Sequence, residues 1–198
     1  MTTTVFFVRH GSHDRLGHVL CGRMAGVGLG EAGRREAQVL AERLKGESLA
    51  AVYSSPLERT QQTAEPIAQA AALPLQTADD LIEIDFGEWT GAGFDALNAD
   101  LRWAAWNAQR SIARPPGGES MLEVQVRLRR WLDEVRARHP DQKIAAVSHA
   151  DAIKAALAHA LGLSLDQHHR LEVSPGSISV LVTGDWGMKV QSINEVPR

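Results

Sequence analysis

The sequence contains a single cysteine, Cys21, among its 198 residues, which excludes an internal disulfide and a zinc site with several cysteine ligands. It has no apolar run long enough to cross a membrane, and its N-terminal apolar run is too short for a signal peptide. Lysine and arginine form no long block, and the formal net charge is −3. We therefore expect a cytoplasmic protein whose partners include neither nucleic acid nor a membrane surface.

Three short apolar segments are each followed by basic residues. They are TVFFV (residues 4–8), followed by Arg9 and His10; AAVYS (50–54), followed one turn later by Arg59; and KIAAV (143–147), followed by His149. Segments of this length, rich in apolar residues, are typical of strands buried on both faces of a parallel sheet. Because ligands of open α/β sheets bind at the carboxyl ends of the strands, we expect these four side chains to share one sheet edge.

The segments between these strands have the spacing of amphipathic helices. Apolar residues recur at i, i+3, i+4 and i+7 from Ala37 and again from Ile153, and a longer helix from Met121 is preceded by Ser120 and followed by Glu123 in capping-box spacing. SISVLV (177–182) and MKVQSI, separated by TGDWG, predict a hairpin at a sheet edge. The alternation of strands and helices predicts an α/β sandwich with a mostly parallel sheet.

One domain covering residues 1–198 accounts for the whole chain, since no linker or repeat interrupts it. The less regular stretch 86–116, which contains Trp103 and Trp106, predicts a small helical cap over the strand ends. We expect both tryptophans to pack in the core, because they lie three residues apart on a helix.

Two histidines and two arginines at three strand ends favour phosphoryl-transfer chemistry. Paired guanidinium groups suit the oxygens of a phosphoryl group, and histidine can attack phosphorus or transfer a proton near neutral pH. A metal site formed by His10, His13 and His18 is the less favoured interpretation, because Asp14 is the only carboxylate of the loop and the arginines repel a cation. We therefore expect no metal and no cofactor.

Two remaining histidines and the single cysteine are not expected to take part in the chemistry. His168 and His169 lie in a polar connector and are expected at the surface. Cys21, beside Gly22, is expected to be a small packed residue, because nothing in the sequence lowers the pKa of its thiol.

Five motifs in the order of one known family span nearly the whole chain. They are VRHG from Val8, SSPLERTQQTA from Ser54, EIDFGEWTG from Glu83, PPGGES from Pro115 and VSHA from Val147. On these motifs the chain resembles the histidine phosphatase superfamily, the phosphoglycerate-mutase-like proteins. The resemblance implies a three-layer α/β/α sandwich with a mostly parallel central sheet, and hydrolysis of phosphomonoesters through a phosphohistidine intermediate.

Carried over by position, the resemblance assigns the nucleophile to His10. The residues that would bind the phosphoryl group are Arg9, Arg59, His149 and Gly22. The resemblance also assigns the proton donor to Glu83, whereas spacing alone does not separate Glu83 from Asp85 and Glu88.

The chain departs from the family after its first motif. Relatives often have an asparagine in this loop that helps to hold phosphate, but SHDRLGHV contains none, so Ser12, His13 or Arg15 are the candidates for that contact. Ala150 stands where glycine is common.

Two alternative functions remain open beside a phosphatase for a small phosphorylated metabolite. A cofactor-dependent mutase is less favoured, because the only tyrosine, Tyr53, lies outside the region after the acidic motif and that region has only Arg102, Arg110 and Arg114 as basic residues. A non-catalytic phosphate-binding module is the third hypothesis. The expected partner is a small phosphate ester, and a homodimer is the expected assembly; the identity of the substrate is left open.

Overall fold

A six-stranded sheet forms the centre of the protein in a computed structural model that describes all residues from 1 to 198. The strands are β1 (Thr2–Arg9), β2 (Ala51–Ser54), β3 (Leu75–Thr77), β4 (Gln142–Ser148), β5 (Ile178–Gly184) and β6 (Gly187–Glu195). Their order across the sheet is β3-β2-β4-β1-β5-β6. The pairs β3–β2, β2–β4 and β4–β1 are parallel, and only β5 runs against its neighbours. The predicted mostly parallel sheet with a C-terminal hairpin is therefore confirmed.

Helices cover both faces of this sheet. The α-helices are α1 (Glu31–Leu44), α2 (Glu58–Ala70), α3 (Phe94–Asn98), α4 (Leu101–Ala108), α5 (Met121–Arg138) and α6 (Ala150–Leu161). Alternate residues of β1 point to opposite layers, so that Phe7 packs with α5 and α6 whereas Val8 packs with α1 and α2. The predicted three-layer α/β/α sandwich is confirmed. None of the helices is both long and apolar enough to cross a membrane.

A local sequence signal marks the start of the longest helix. Ser120 caps α5 in a complete capping box with Glu123. The predicted strands lie within β1, β4 and β2, apart from Ala50, which precedes β2. The three-residue edge strand β3 was not predicted, since it has no buried residue and therefore no apolar pattern.

The stretch 86–116 contains α3, α4 and a cluster of aromatic side chains. Trp106 is buried against Phe86, with ring centroids 5.5 Å apart, as expected for a core residue. Trp103 stacks on Trp106 at 5.2 Å but is only half-buried, because it lies on the outer side of this cluster. The aromatic cluster supports Phe86, which reaches the carboxyl edge of the sheet.

The strand order brings the ends of three strands together. β4 lies between β1 and β2, and the register places Arg9 beside Ser148 and Ser54 beside Val147. The residues that follow these strands, including His10, Ser55 and His149, therefore meet at one edge of the sheet.

Candidate active site

His10 follows β1 directly, and its imidazole is buried, with 4% of the residue exposed. Its Nδ1 lies 2.8 Å from the carbonyl oxygen of Gly11 and can only bond to it by donating a proton. The neutral ring then carries a free electron pair on Nε2. Burial, followed by the charges of Arg59 and Arg9, holds the pKa of His10 well below its usual value. The ring is therefore neutral and nucleophilic.

The loop after His10 is held by close backbone packing. The N–H of Gly11 donates a hydrogen bond to Oγ1 of Thr63 at 3.0 Å. A Cβ atom at Gly11 would lie 2.9 Å from Cα of Gly33 on α1, a distance that side chains do not tolerate. Glycine at position 11 thus allows the loop to approach α1, which fixes the carbonyl that orients His10.

Arg59 is the second residue of α2 and is almost completely buried, with 2% exposed. Its Nη2 donates to the carbonyl oxygen of Gly22 at 2.6 Å and lies 3.2 Å from Nδ1 of His149. Gly22 has φ of +47°, and a Cβ there would lie 2.8 Å from the ring of Phe86. Gly22 therefore acts through its backbone, which holds Arg59 in place.

His149 precedes α6 and is fully buried. A guanidinium group can only donate, so Nδ1 of His149 accepts from Arg59, and the proton on Nε2 is donated to Oγ of Ser55 at 2.8 Å. Burial and the charge of Arg59 lower the pKa of His149 well below its usual value. With both nitrogens engaged, His149 orients Arg59; direct contact of His149 with a phosphoryl group stays a prediction.

Several buried guanidinium nitrogens at this edge have no partner in the protein. Arg9 donates from Nη1 to the carbonyl of Val173 at 2.7 Å, but its Nε is unpartnered, as are Nε and Nη1 of Arg59. Buried N–H groups without acceptors are costly, and a bound oxyanion would satisfy them with charge-assisted hydrogen bonds. The edge therefore has the chemistry of an anion site.

Glu83 lies against the first turn of α6, close enough to Arg9 and Arg59 for its charge to interact with theirs. Its Oε1 accepts hydrogen bonds from the backbone N–H groups of Ile84 at 3.0 Å and Ala152 at 3.3 Å. Burial, together with the negative charge of Asp151, raises the pKa of Glu83 to about 7. A carboxyl group of this kind can both donate and accept a proton near neutral pH.

The structure separates Glu83 from the two other acidic candidates. Asp85 is engaged in a turn, where it accepts from the N–H of Gly87, and it pairs with Arg23. Glu88 is exposed beside Arg102. Of these three carboxylates, only Glu83 lines the cavity that contains His10.

A partly buried charged group next to Glu83 was missed in the sequence. Asp151 accepts from Nη1 of Arg110 at 3.1 Å and lies 3.4 Å from Nε2 of His168. Burial alone would raise the pKa of Asp151, but Arg110 and His168 lower it below its usual range, which keeps this carboxylate ionised. The expectation that His168 lies at the surface is wrong, because the connector folds its ring inward against Asp151; His169 is exposed. The only signal in the sequence was that Asp151 lies in the first turn of α6. An acidic residue is common there, because it interacts favourably with the helix N-terminus, so this signal did not indicate a role at the site.

The loop after His10 offers only one of its three candidates to the site. Ser12 is tied to Glu36 by two hydrogen bonds, and Arg15 is exposed near Sδ of Met24. His13 is 8% exposed, and its ring stacks on His10 with centroids 5.5 Å apart. Burial, then Arg59 and Arg9, lower the pKa of His13 to about 4, so that it is a neutral donor and acceptor.

These side chains surround a cavity of about 160 Å³. Its wall contains the polar side chains of Arg9, Arg59, His10, His13, Glu83 and Asp151, together with apolar residues that include Leu16, Phe86 and Phe94. Cys21 also lines it, and burial raises the pKa of its thiol. No three histidine, cysteine or carboxylate side chains lie close enough together to hold a metal ion.

Comparison with known proteins agrees with this geometry. The model of the histidine phosphatase superfamily (branch 1) matches residues 5–196. Phosphoserine phosphatase 1 of Hydrogenobacter thermophilus is 36% identical over 157 residues, which are 77% of this chain and 74% of that protein. A probable phosphoglycerate mutase, GpmB of Yersinia pestis, is 34% identical over 155 residues, 76% of this chain and 71% of that protein.

Structural comparison extends the likeness to the whole chain. The native structure of a mycobacterial glucosyl-3-phosphoglycerate phosphatase superposes with a TM-score of 0.89 at 25% identity, covering 98% of this chain and all of the other. Some curated relatives are longer, and the chain spans about half (54%) of mycobacterial proteins that are 33% identical to it.

Replacing Asp151 with asparagine should lower the pKa of Glu83 from its wild-type value of about 7, because the nearest negative charge is lost and Arg110 is left unpaired. Titration of the Glu83 carboxyl carbon by carbon-13 NMR measures this shift. Asp85→Asn, outside the cavity, serves as the control and should leave the Glu83 titration unchanged. An unchanged titration in Asp151→Asn would mean that burial alone sets the proton affinity of Glu83.

Proposed function

Because this chain belongs to the histidine phosphatase superfamily (branch 1) and is a phosphatase, we propose that it hydrolyses monoesters of small phosphorylated metabolites through a phosphohistidine formed on His10. One observation carries the proposal. The neutral His10, with its electron pair on Nε2, lies in the same cavity as Arg9 and Arg59, whose unpartnered buried donors suit a phosphoryl group.

In the first step, Nε2 of His10 attacks phosphorus while the bond between phosphorus and the ester oxygen breaks. Arg9 and Arg59 stabilise the charge on the equatorial oxygens, and because they are already fixed by Val173 and Gly22, little reorganisation is needed. Protonated Glu83 transfers its proton to the leaving alkoxide, so the alcohol departs neutral.

In the second step, water attacks the phosphorus of the phosphohistidine. Glu83, now a carboxylate, accepts a proton from this water, and the bond to Nε2 breaks. Inorganic phosphate leaves, and both His10 and Glu83 return to their starting states. A pKa of about 7 for Glu83 suits this double role, because neither protonation state is strongly disfavoured.

His13 is the residue that we propose for the phosphate contact of the loop. His13 lines the cavity, and its Nδ1 is buried without a hydrogen-bond partner. Its Nε2 is not buried in this way. The tautomer with the proton on Nε2 can donate to a phosphoryl oxygen. The negative charge of a bound phosphate would also favour protonation of the ring.

The arginines of the stretch 86–116 favour a phosphatase over a mutase. A mutase must hold a second phosphate group, but each of these arginines is already paired with a carboxylate. The pairs are Arg102 with Asp100, Arg110 with Asp151 and Arg114 with Glu123. The cytoplasmic location and the homodimer stay predictions.

His10→Ala should abolish formation of an acid-labile phosphoenzyme and reduce kcat/KM by at least about 10³-fold, as expected when a nucleophile is removed. Rapid quenching with a labelled phosphate ester, followed by mapping of the label, measures this directly. His18→Ala, an exposed histidine in the same loop, is the control. Labelled phosphate that maps to His149 would refute the assignment of His10. A wild-type protein that binds vanadate but neither traps labelled phosphate nor hydrolyses the ester would fit the non-catalytic phosphate-binding module.

Glu83→Gln should lose about 10²–10⁴-fold in rate on an alkyl phosphate, the usual contribution of general acid catalysis. It should lose much less on p-nitrophenyl phosphate, because nitrophenolate leaves without a proton. Steady-state kinetics on both substrates provide the contrast, with Asp85→Asn as the control. Equal losses on the two substrates would count against Glu83 as the proton donor.

His13→Ala should weaken binding of inorganic phosphate at pH 7 by about ten- to a hundredfold, the scale of one hydrogen bond to a charged group. Isothermal titration calorimetry measures the affinity. The affinity should be unchanged in His18→Ala and partly recovered in His13→Ser, whose hydroxyl also donates. If His13→Ala binds phosphate like the wild type, the loop contact lies elsewhere.

A further inference from the structure

Asp151 has one carboxylate oxygen that the protein does not use. Its Oδ1 is bound by Nη1 of Arg110 and lies near Nε2 of His168. Its Oδ2 makes no hydrogen bond within the protein, and the residue lines the cavity that contains His10. An ionised carboxylate oxygen at this position is a strong acceptor for a hydrogen bond from a bound molecule.

Asp151 is placed to contact the alcohol part of a substrate. Glu83, which would protonate the ester oxygen, is close enough to Asp151 for the two charges to interact. Oε1 of Glu83 also accepts a hydrogen bond from the N–H of Ala152, the residue after Asp151, so the two acidic side chains lie next to each other at the cavity. The alcohol part of the ester begins at the oxygen that Glu83 would protonate, which puts this part of the substrate within reach of Asp151.

The carboxylate is held rigidly. Arg110 is itself fixed from two other sides: its Cζ lies 3.7 Å from the ring centroid of Trp106, and its Nη2 donates to Oδ1 of Asn107 at 2.8 Å. With 7% of Arg110 and 4% of His168 exposed, this support is shielded from water. A group held in this way binds with little loss of side-chain entropy.

Many of the other side chains that line the cavity are apolar. Leu16, Leu20, Phe86 and Phe94 offer no hydrogen-bonding groups. Arg23, which lies behind Glu83, is engaged with the backbone carbonyl of Glu83 and with Glu119. Once Arg9 and Arg59 bind the phosphoryl group, a substrate carboxylate would thus meet Asp151 without a free cation to balance it.

We propose that Asp151 is a specificity-determining residue whose free oxygen binds a hydroxyl or ammonium group on the alcohol part of the substrate. The substrate class is therefore phosphate monoesters of polyols and amino alcohols, and esters that carry a carboxylate next to the phosphate are disfavoured. This inference rests on the proposed phosphatase function.

The test combines four esters with two forms of the enzyme. Glycerol 3-phosphate and O-phosphoethanolamine carry a donor, propyl phosphate carries none, and 2-phosphoglycolate carries a carboxylate but no hydroxyl or ammonium group. For the wild type, kcat/KM should be about ten- to a hundredfold higher for the two donor esters than for propyl phosphate. In Asp151→Asn this preference should largely disappear, and 2-phosphoglycolate should improve relative to propyl phosphate, because an amide can donate to a carboxylate.

Ratios between substrates separate specificity from acid catalysis. Asp151→Asn also alters the proton affinity of Glu83, but that effect slows all alkyl esters alike and cancels in each ratio. Asp85→Asn, which lies outside the cavity, should retain the wild-type ratios. Ratios that are the same in Asp151→Asn and in the wild type would overturn the proposal, even if every rate fell.

Binding to an inactive form distinguishes failure of this inference from failure of the proposed function. Affinities of the four esters for His10→Ala and for His10→Ala/Asp151→Asn, measured by calorimetry, repeat the comparison without turnover. A preference for donor esters that depends on Asp151 supports the inference even if the wild type hydrolyses none of them, which would instead contradict the function. Equal affinities in both variants would overturn the inference alone.

Discussion

The burial of two guanidinium groups at one edge of the sheet is the constraint on which the rest of the site depends. Arg59 stands at the start of a helix, where a positive charge is unfavourable, and it is nevertheless almost fully buried. Its position is stable only because Gly22 and His149 accept its hydrogen bonds. Burial, and then the same positive charges, lower the pKa of the neighbouring imidazoles and keep them neutral, so the anion site and the proposed nucleophile have a common physical origin.

The same cavity contains a complementary arrangement of negative charge. Two carboxylates, Glu83 and Asp151, lie close together, and the charge of Arg110 decides which of them stays ionised. The proton is thereby left on Glu83, the group better placed to use it. A cavity that contains two fixed guanidinium groups, an ionised carboxylate and a protonated carboxyl group suits a reaction that moves negative charge from the ester to the leaving group.

The sequence predicted the fold class and brought Arg9, His10, Arg59 and His149 to one edge, because parallel strands that end together place their following residues together. It could not distinguish Glu83 from Asp85, since burial and turn formation depend on distant residues such as Ala152 and Gly87. The burial of His168 was missed for a similar reason: the connector that carries it is polar, and only its packing on α6 turns the ring inward. Local sequence patterns predict helices and strands, whereas contacts between side chains on different elements become visible only in the folded structure.

The strand order also has a consequence for the synthesis of the protein. β1 and β2 are not neighbours; each pairs with β4, which begins only at Gln142. During most of translation, the apolar segment that forms β1 therefore has neither of its two partner strands, β4 and β5, available for pairing. Pairings between residues so distant in sequence form slowly, and open apolar edges invite association with other chains. The strand order that brings the residues of the candidate site together thus leaves the nascent chain in need of protection from association until its last third has been made.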